Sequence, residues 1–275
     1  MSHTVSTQAA QTATTAQKAE WTPARRALVI AGAVLIAATW LYFVLVHPAD
    51  WDQVTGSGQG IALLAGYGIG TILLLAAVIP VLPARTLGLI PIAIIINSVV
   101  GEIVGSIGLP LYLDSVGTVL VAALAGPVAG MATGALNNVV WGLLNPAALP
   151  FAAGAALIGW LAGVFIHRFN ALRNIATVIG FGLVLGLVGG MVAAPVAAYV
   201  YGGTAGVGTG ALVSLFREMG SSLIASVTTQ AFISDPVDKI IVMLVAFLTV
   251  KALPNRTVAA FAPQTKQTKQ TKQTK

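Results

Sequence analysis

Five apolar runs constrain this chain more than anything else in it: 27–46, 61–82, 87–107, 149–166 and 175–200. Each is close to the roughly 20 residues that carry a helix across the hydrocarbon core of a bilayer. Such segments have no water-facing side, and in lipid every backbone amide must bond within the segment or to a closed neighbour, so helices are the natural solution. A lipid-facing barrel would alternate with period two, which these runs do not. Composition excludes the remaining alternative, since 57% of the 275 residues are hydrophobic and 8% charged, whereas soluble domains carry about a quarter charged residues. The expected fold class is an all-α polytopic membrane protein.

Three more segments complete the expected topology. From residue 115 the apolar sequence is interrupted at Gly126 and Pro127, giving two shortened segments, 115–125 and 128–144, joined by a tight turn. Gly/Pro-interrupted spans are the usual sequence pointer to a transporter binding site. A last span is expected over 237–251, for eight crossings with both termini cytoplasmic. The net charge of +6 fits this topology: Lys18, Arg25 and Arg26 precede the first span, and Lys251, Arg256 and four tail lysines follow the last. That is positive-inside placement and argues against a nucleic-acid partner. Trp40, Tyr42 and Trp51 form an aromatic belt at one interface. Segment 205–234 is long, moderately apolar and carries Arg217 and Glu218. If it spanned, the lysine-rich tail would lie outside, so it is expected to be an external or re-entrant helical cap.

The organisation then reads as four parts: a polar cytoplasmic lead over 1–24, expected to be disordered; a two-helix membrane extension over 25–84; a six-helix core over 85–256; and a basic tail over 257–275, where QTK occurs four times. The lead lacks the apolar run of a signal peptide, and the tail reads as a solvated low-complexity segment near headgroups.

The chemistry concentrates between residues 94 and 146. Glu102 and Asp114 are embedded in apolar sequence, where a carboxylate costs about 2.5–3.5 kcal/mol at a helix centre and therefore faces a cavity, a partner or a substrate. Asp114 follows a Leu-Pro-Leu break and either caps the next helix or flanks a mouth with Glu102. Glu102 either snorkels, pairs with Arg217, or meets a cationic or donor-rich ligand. Tyr112 sits in the same loop and joins the candidate set. Asn137, Trp141 and Asn145 are four residues apart and Asn138 is three from Trp141, so all share one helical face. Amides beside an indole suit a flat heterocycle, the ring stacking while the amides read its edge. Interhelical hydrogen bonding is the alternative use of the same residues.

Glycines recur every fourth residue at 126, 130 and 134 and at 182, 186 and 190, which suits internal helix packing. A third stripe of Ala93, Asn97, Gly101 and Gly105 is the candidate contact with another subunit. Asp235, Pro236, Asp238 and Lys239 read as the capped start of the final helix. There is no cysteine, the histidines at 3, 47 and 167 form no ligand pair, and no phosphate-cradling glycine loop is present. Neither an enzyme nor a cofactor is expected.

The stretch LPLYLDSVGTVLVAALAGPVAGMATGALNNVVWGLLNP resembles the substrate-specific S components of energy-coupling factor (ECF) transporters. The matching features are Asp114 opening a helix, Gly117, the Gly126-Pro127 turn, Gly130 and Gly134, and Asn137 and Asn138 on the following helix. SDPVDKIIVMLVAFLTVKALPNR is similar to the last helix of such proteins, and the resemblance covers roughly 85–256. It implies a six-helix subunit in the plasma membrane that captures a vitamin or heterocyclic micronutrient from outside and reorients on a transmembrane coupling protein driven by two ABC-type ATPases. It also implies that small residues near Ala93, Gly101 and Gly105 contact the coupling subunit. The 27–82 pair of spans precedes the usual six, and the family's Ala-x-x-x-Ala signature is not cleanly present. A ligand-sensing receptor module and an autonomous secondary transporter are the alternatives.

Overall fold

The computed structural model describes residues 21–46, 57–203 and 206–263. The expectations for the lead before residue 21, for Trp51 and for the QTK repeats lie outside these residues. The described chain contains ten α-helices and no strand. They are α1 (Pro23–Val46), α2 (Gly58–Val78), α3 (Ala84–Ser106), α4 (Val116–Ala125), α5 (Pro127–Gly142), α6 (Ala152–Phe169), α7 (Ile175–Tyr201), α8 (Val207–Glu218), α9 (Leu223–Ala252) and α10 (Asn255–Phe261), with short 3₁₀ turns at Ile79–Val81 and Pro146–Phe151. Five elements are long and apolar enough to cross a membrane, namely α1, α2 with its 3₁₀ turn, α3, α6 with its preceding turn, and α7. The chain is an all-α, multi-pass membrane protein.

Close backbone approach holds the bundle together, as expected where lipid offers no hydrophobic drive between helices. A Cβ at Gly130 would sit 2.5 Å from the carbonyl oxygen of Gly159, and one at Gly134 would collide with that of Ala155. Those glycines therefore seat α5 against α6. Gly182 and Gly186 do the same for α7 against α9, where added Cβ atoms would run into the backbone of Ile240 and Pro236. Both ladders are internal packing surfaces. Gly126 has φ of +92° and serves at once as C-cap of α4 and N-cap of α5, a conformation glycine adopts at no steric cost.

The α1–α2 pair is part of the core, not a loose appendage. Phe43, Leu63, Tyr67 and Leu74 are fully buried and share one apolar cluster with residues of α3, α5 and α6. The Trp40 indole donates to Val192 O at 3.2 Å and the Tyr67 hydroxyl to Pro150 O at 3.3 Å, so both helices are pinned to later parts of the chain.

The C-terminal third departs from expectation. Segment 205–234 is not one cap: α8 is a short helix with Arg217 and Glu218 exposed, and from Leu223 the chain already belongs to α9. Asp235, Pro236, Asp238 and Lys239 lie in the middle of that 30-residue helix and do not open it. Ser222 provides the actual cap, accepting from the amide of Ala225. A charged triplet within an apolar helix survives because Asp238 and Lys239 find partners inside the protein.

Candidate functional site

The loop 107–115, the turn Pro146–Phe151, α8 and the adjoining halves of α3, α5, α6, α7 and α9 enclose a cavity of about 380 Å³. It exists because the walls supplied by α6 and α7 are small: Gly154, Ala155, Gly189, Ala193 and Ala197 face it. Volumes of this order hold small organic ligands.

One face of α9 carries its densest polar chemistry. Gln230, Asp235 and Lys239 line the cavity, and Ala231, Asp235 and Lys239 recur every fourth residue, which aligns them on a helix. Asp238 is fully buried, and its Oδ1 accepts from the amides of Tyr112 and Leu113 at 2.9 and 2.6 Å. Its other oxygen accepts from Lys239 Nζ, and Lys239 also reaches Asp114 at 3.7 Å. Two neighbours on one helix thus clasp the 107–115 loop from below. Leu113 sits there with φ of +50°, a left-handed conformation that a residue with a Cβ adopts only when its surroundings hold it.

Asp114 shows about 40% of its side chain, on the cavity side. Burial pushes its carboxyl above the ordinary value, and the Lys239 ammonium pulls the other way. Burial also drives the Tyr112 hydroxyl upward, with the Asp235 charge adding to it and a hydrogen bond from Thr209 opposing. Gly208 presses α8 onto the same loop, since a Cβ there would collide with the backbone of Gly108 and Leu109.

Three buried polar atoms in the cavity wall have no hydrogen-bond partner in the protein: Ser115 Oγ, the Gln230 amide nitrogen and Asp235 Oδ1. Buried polar groups are paired in the great majority of cases, and these three are exceptions among the residues of the wall.

Most of the residues singled out from the sequence meet at this cavity. Glu102, Tyr112, Asp114, Asn138, Trp141 and Asn145 all line it. Asn137 does not: it is buried and donates to Asn138 Oδ1 at 3.0 Å, while Asn138 donates to Ala148 O at 2.8 Å. The Asn pair therefore fastens α5 to the 146–151 turn, and Asn145 caps that turn through Ala147. Glu102 makes no ion pair with Arg217 among the described residues. Asp114 precedes α4 without capping it; Asn97 of α3 instead accepts from the amide of Gly117 at 2.7 Å and donates to Thr118 at 2.9 Å.

Ala93 and Asn97, expected to face another subunit, are buried against α4, where a Cβ at Gly117 would collide with the backbone of Ala93. Gly101 packs under Trp141 and Asp114, and Gly105 edges the cavity. What the sequence reading missed is Gln230, Asp235, Lys239, Thr209 and Phe151. The i, i+4 spacing of Asp235 and Lys239 was the available signal, obscured by reading both as helix-start residues.

Comparison with family models, curated proteins and solved structures gives no match. Function must therefore be argued from the geometry of the cavity. Among the described residues no group of three His, Asp or Glu gathers to hold a metal ion.

Proposed function

We propose that this chain is the substrate-binding membrane subunit of an ECF-type importer, capturing a vitamin-like heterocycle for uptake driven by a transmembrane coupling protein and two ABC-type ATPases. In this reading the chain crosses the plasma membrane eight times, counting the α4–α5 hairpin as two and α9 as the last. Both termini are cytoplasmic and the cavity opens outward. It binds its ligand and does not convert it.

One observation carries the reading: a cavity of about 380 Å³ lined by the aromatic residues Trp141, Phe151 and Tyr112 together with a few polar ones, among them Ser115, Gln230 and Asp235, each of which has an unpartnered polar atom. That is the composition of a small-molecule site, mostly apolar with a few convergent polar groups. The resemblance of 85–256 to S components supplies the partners. With Ala93 and Asn97 engaged by α4, the coupling face falls to the outward residues of α3, among them Ile92, Ile95, Val99 and Ile103.

The test is purification from native membranes followed by mass spectrometry, which reports ligand and ATPase partners together. Recovery of neither refutes the reading. Trp141→Ala should lose the ligand, and a variant carrying Trp141→Ala with Asn138→Ala that retains it at wild-type affinity refutes the site.

A second reading has its own observation. Asp235, Asp238 and Lys239 are buried around Pro236 in the middle of the continuous helix α9, and ionisable groups within membrane helices mark ion pathways and proton relays. Uptake by proteoliposomes containing this chain alone would select it.

A further inference from the structure

The cavity lining carries a charge imbalance that constrains its occupant. Glu102, Asp114 and Asp235 line it, and among the described residues Lys239 is its one cation; neither arginine nor histidine contributes. Lys239 is only 4% exposed and is held by Asp238 behind it and Asp114 at 3.7 Å. One ammonium thus serves Asp238, Asp114 and, one helical turn away, Asp235, and Glu102 has no ion pair among the described residues. Asp235 is 6% exposed, lines the cavity and has one carboxylate oxygen without a hydrogen-bond partner. In a weakly screened interior a carboxylate or phosphate entering this space meets net repulsion, whereas a cation meets attraction.

A second, independent observation places a ring beside the acids. The position a Cβ would occupy on Gly101 is 3.0 Å from Trp141 Cη2 and 3.1 Å from Asp114 Cβ. The indole and the Asp114 side chain therefore both pack closely on Gly101 and stand next to one another in the cavity lining. A cation on an aromatic frame in the cavity meets a ring quadrupole and a carboxylate together. The Gln230 amide and the Ser115 hydroxyl, both about 3% exposed and each with an unpartnered polar atom, add neutral polar groups to the lining.

We infer that the cavity selects a flat aromatic or heteroaromatic ligand bearing a positive charge, recognised by Trp141 together with Asp114, Asp235 and Glu102, and discriminates against anionic analogues. The inference rests on the cavity being the substrate site of the proposed importer, and it adds the chemical class of that substrate.

Three probes of one size test it: 1-methylquinolinium, quinoline and quinoline-2-carboxylate, at pH 8. Their retention by the full chain in phosphatidylcholine nanodiscs is measured by equilibrium dialysis against empty nanodiscs. The expected result is saturable binding of the cation at least about tenfold tighter than of the neutral ring, with the carboxylate excluded. Asp235→Asn should reduce the cation preference, read as the ratio of 1-methylquinolinium to quinoline affinity within the variant, about tenfold. Because Asp235 is buried in α9, Glu102→Gln is the companion variant on an exposed side chain, with an expected loss of about threefold. Carboxylate binding equal to that of the cation overturns the inference, as does a cation preference intact in both variants, or no saturable cation binding. Failure of the importer reading registers separately, as an absence of ATPase partners in a pull-down while the charge preference persists.

Discussion

Asp238 should be the most sensitive single position for the integrity of the cavity. Its Oδ1 holds the amides of Tyr112 and Leu113 at 2.9 and 2.6 Å, and its Oδ2 holds Lys239. Hydrogen bonds to a charged group contribute about 1.5–3 kcal/mol each, and removing one member of a buried ion pair costs about 3–5 kcal/mol because the other is left uncompensated. These contributions describe the same contacts and do not add, so Asp238→Ala should destabilise by about 3–5 kcal/mol, a downward shift of roughly 10 °C for a chain of this size. Asp238→Asn keeps an oxygen for the two amides while losing the charge, and should fall between. Pairing Asp238→Ala with Lys239→Met removes an ammonium that would keep only Asp114 at 3.7 Å and should recover about 1–2 kcal/mol. Thermal unfolding in detergent reads the stabilities. The chain contains no cysteine, so Leu111→Cys gives a unique thiol whose maleimide labelling rate reports loop release. Freed of its clasp, Leu113 should leave its φ of +50° and labelling should accelerate about tenfold. If Asp238→Ala unfolds within about 1 kcal/mol of wild type and labels at the wild-type rate, the loop is held by something else and the reasoning fails.

Other expectations are simpler. Gly159→Ala drives a methyl into Gly130 O, whereas Gly180→Ala meets nothing within 4 Å; the first should lower stability by about 1–3 kcal/mol and the second should not, as read by thermal melts side by side. Tyr67→Phe removes the 3.3 Å bond to Pro150 O, costing about 1 kcal/mol and weakening ligand retention through neighbouring Phe151, which a binding isotherm would show. Asn97→Leu leaves the Gly117 amide without its acceptor and should cost about 1–3 kcal/mol in the same melts.

Much of the helical scaffold was legible because hydropathy over about 20 residues is a strong local signal. The runs beginning at 27, 61, 87, 149 and 175 correspond to α1, α2, α3, α6 and α7, and the Gly126-Pro127 break falls where the α4–α5 turn is. Both glycine ladders were also readable, since a four-residue repeat of small side chains has few uses other than close helix contact. The sequence misled at 235–239. Two acids, a proline and a lysine look like a helix N-terminus when read locally, and an apolar window penalises all of them. What makes them tolerable mid-helix is the pair of amides at Tyr112 and Leu113, roughly 125 positions away. No local pattern encodes such a partner. The same holds for Asn137 and Asn138. Their spacing with Trp141 correctly puts them on one helix, but the rotation of α5 that turns Asn138 to the cavity wall and Asn137 into the protein is set by Gly130 and Gly134 seating on α6.

The clasp between α9 and the 107–115 loop also dictates an order of assembly. Synthesis proceeds from the N-terminus, so the loop and most of the cavity wall are made long before Asp238 and Lys239 exist. Until α9 enters and docks along α7, the backbone at 112–113 has no anchor, and neither Gln230 nor Asp235 is present to finish the wall. Non-local contacts of this kind are the slow ones in folding. A nascent chain halted before residue 238 therefore owns most of the described helices without the clasp that orders the 107–115 loop, which makes completion of the cavity a late event in biogenesis.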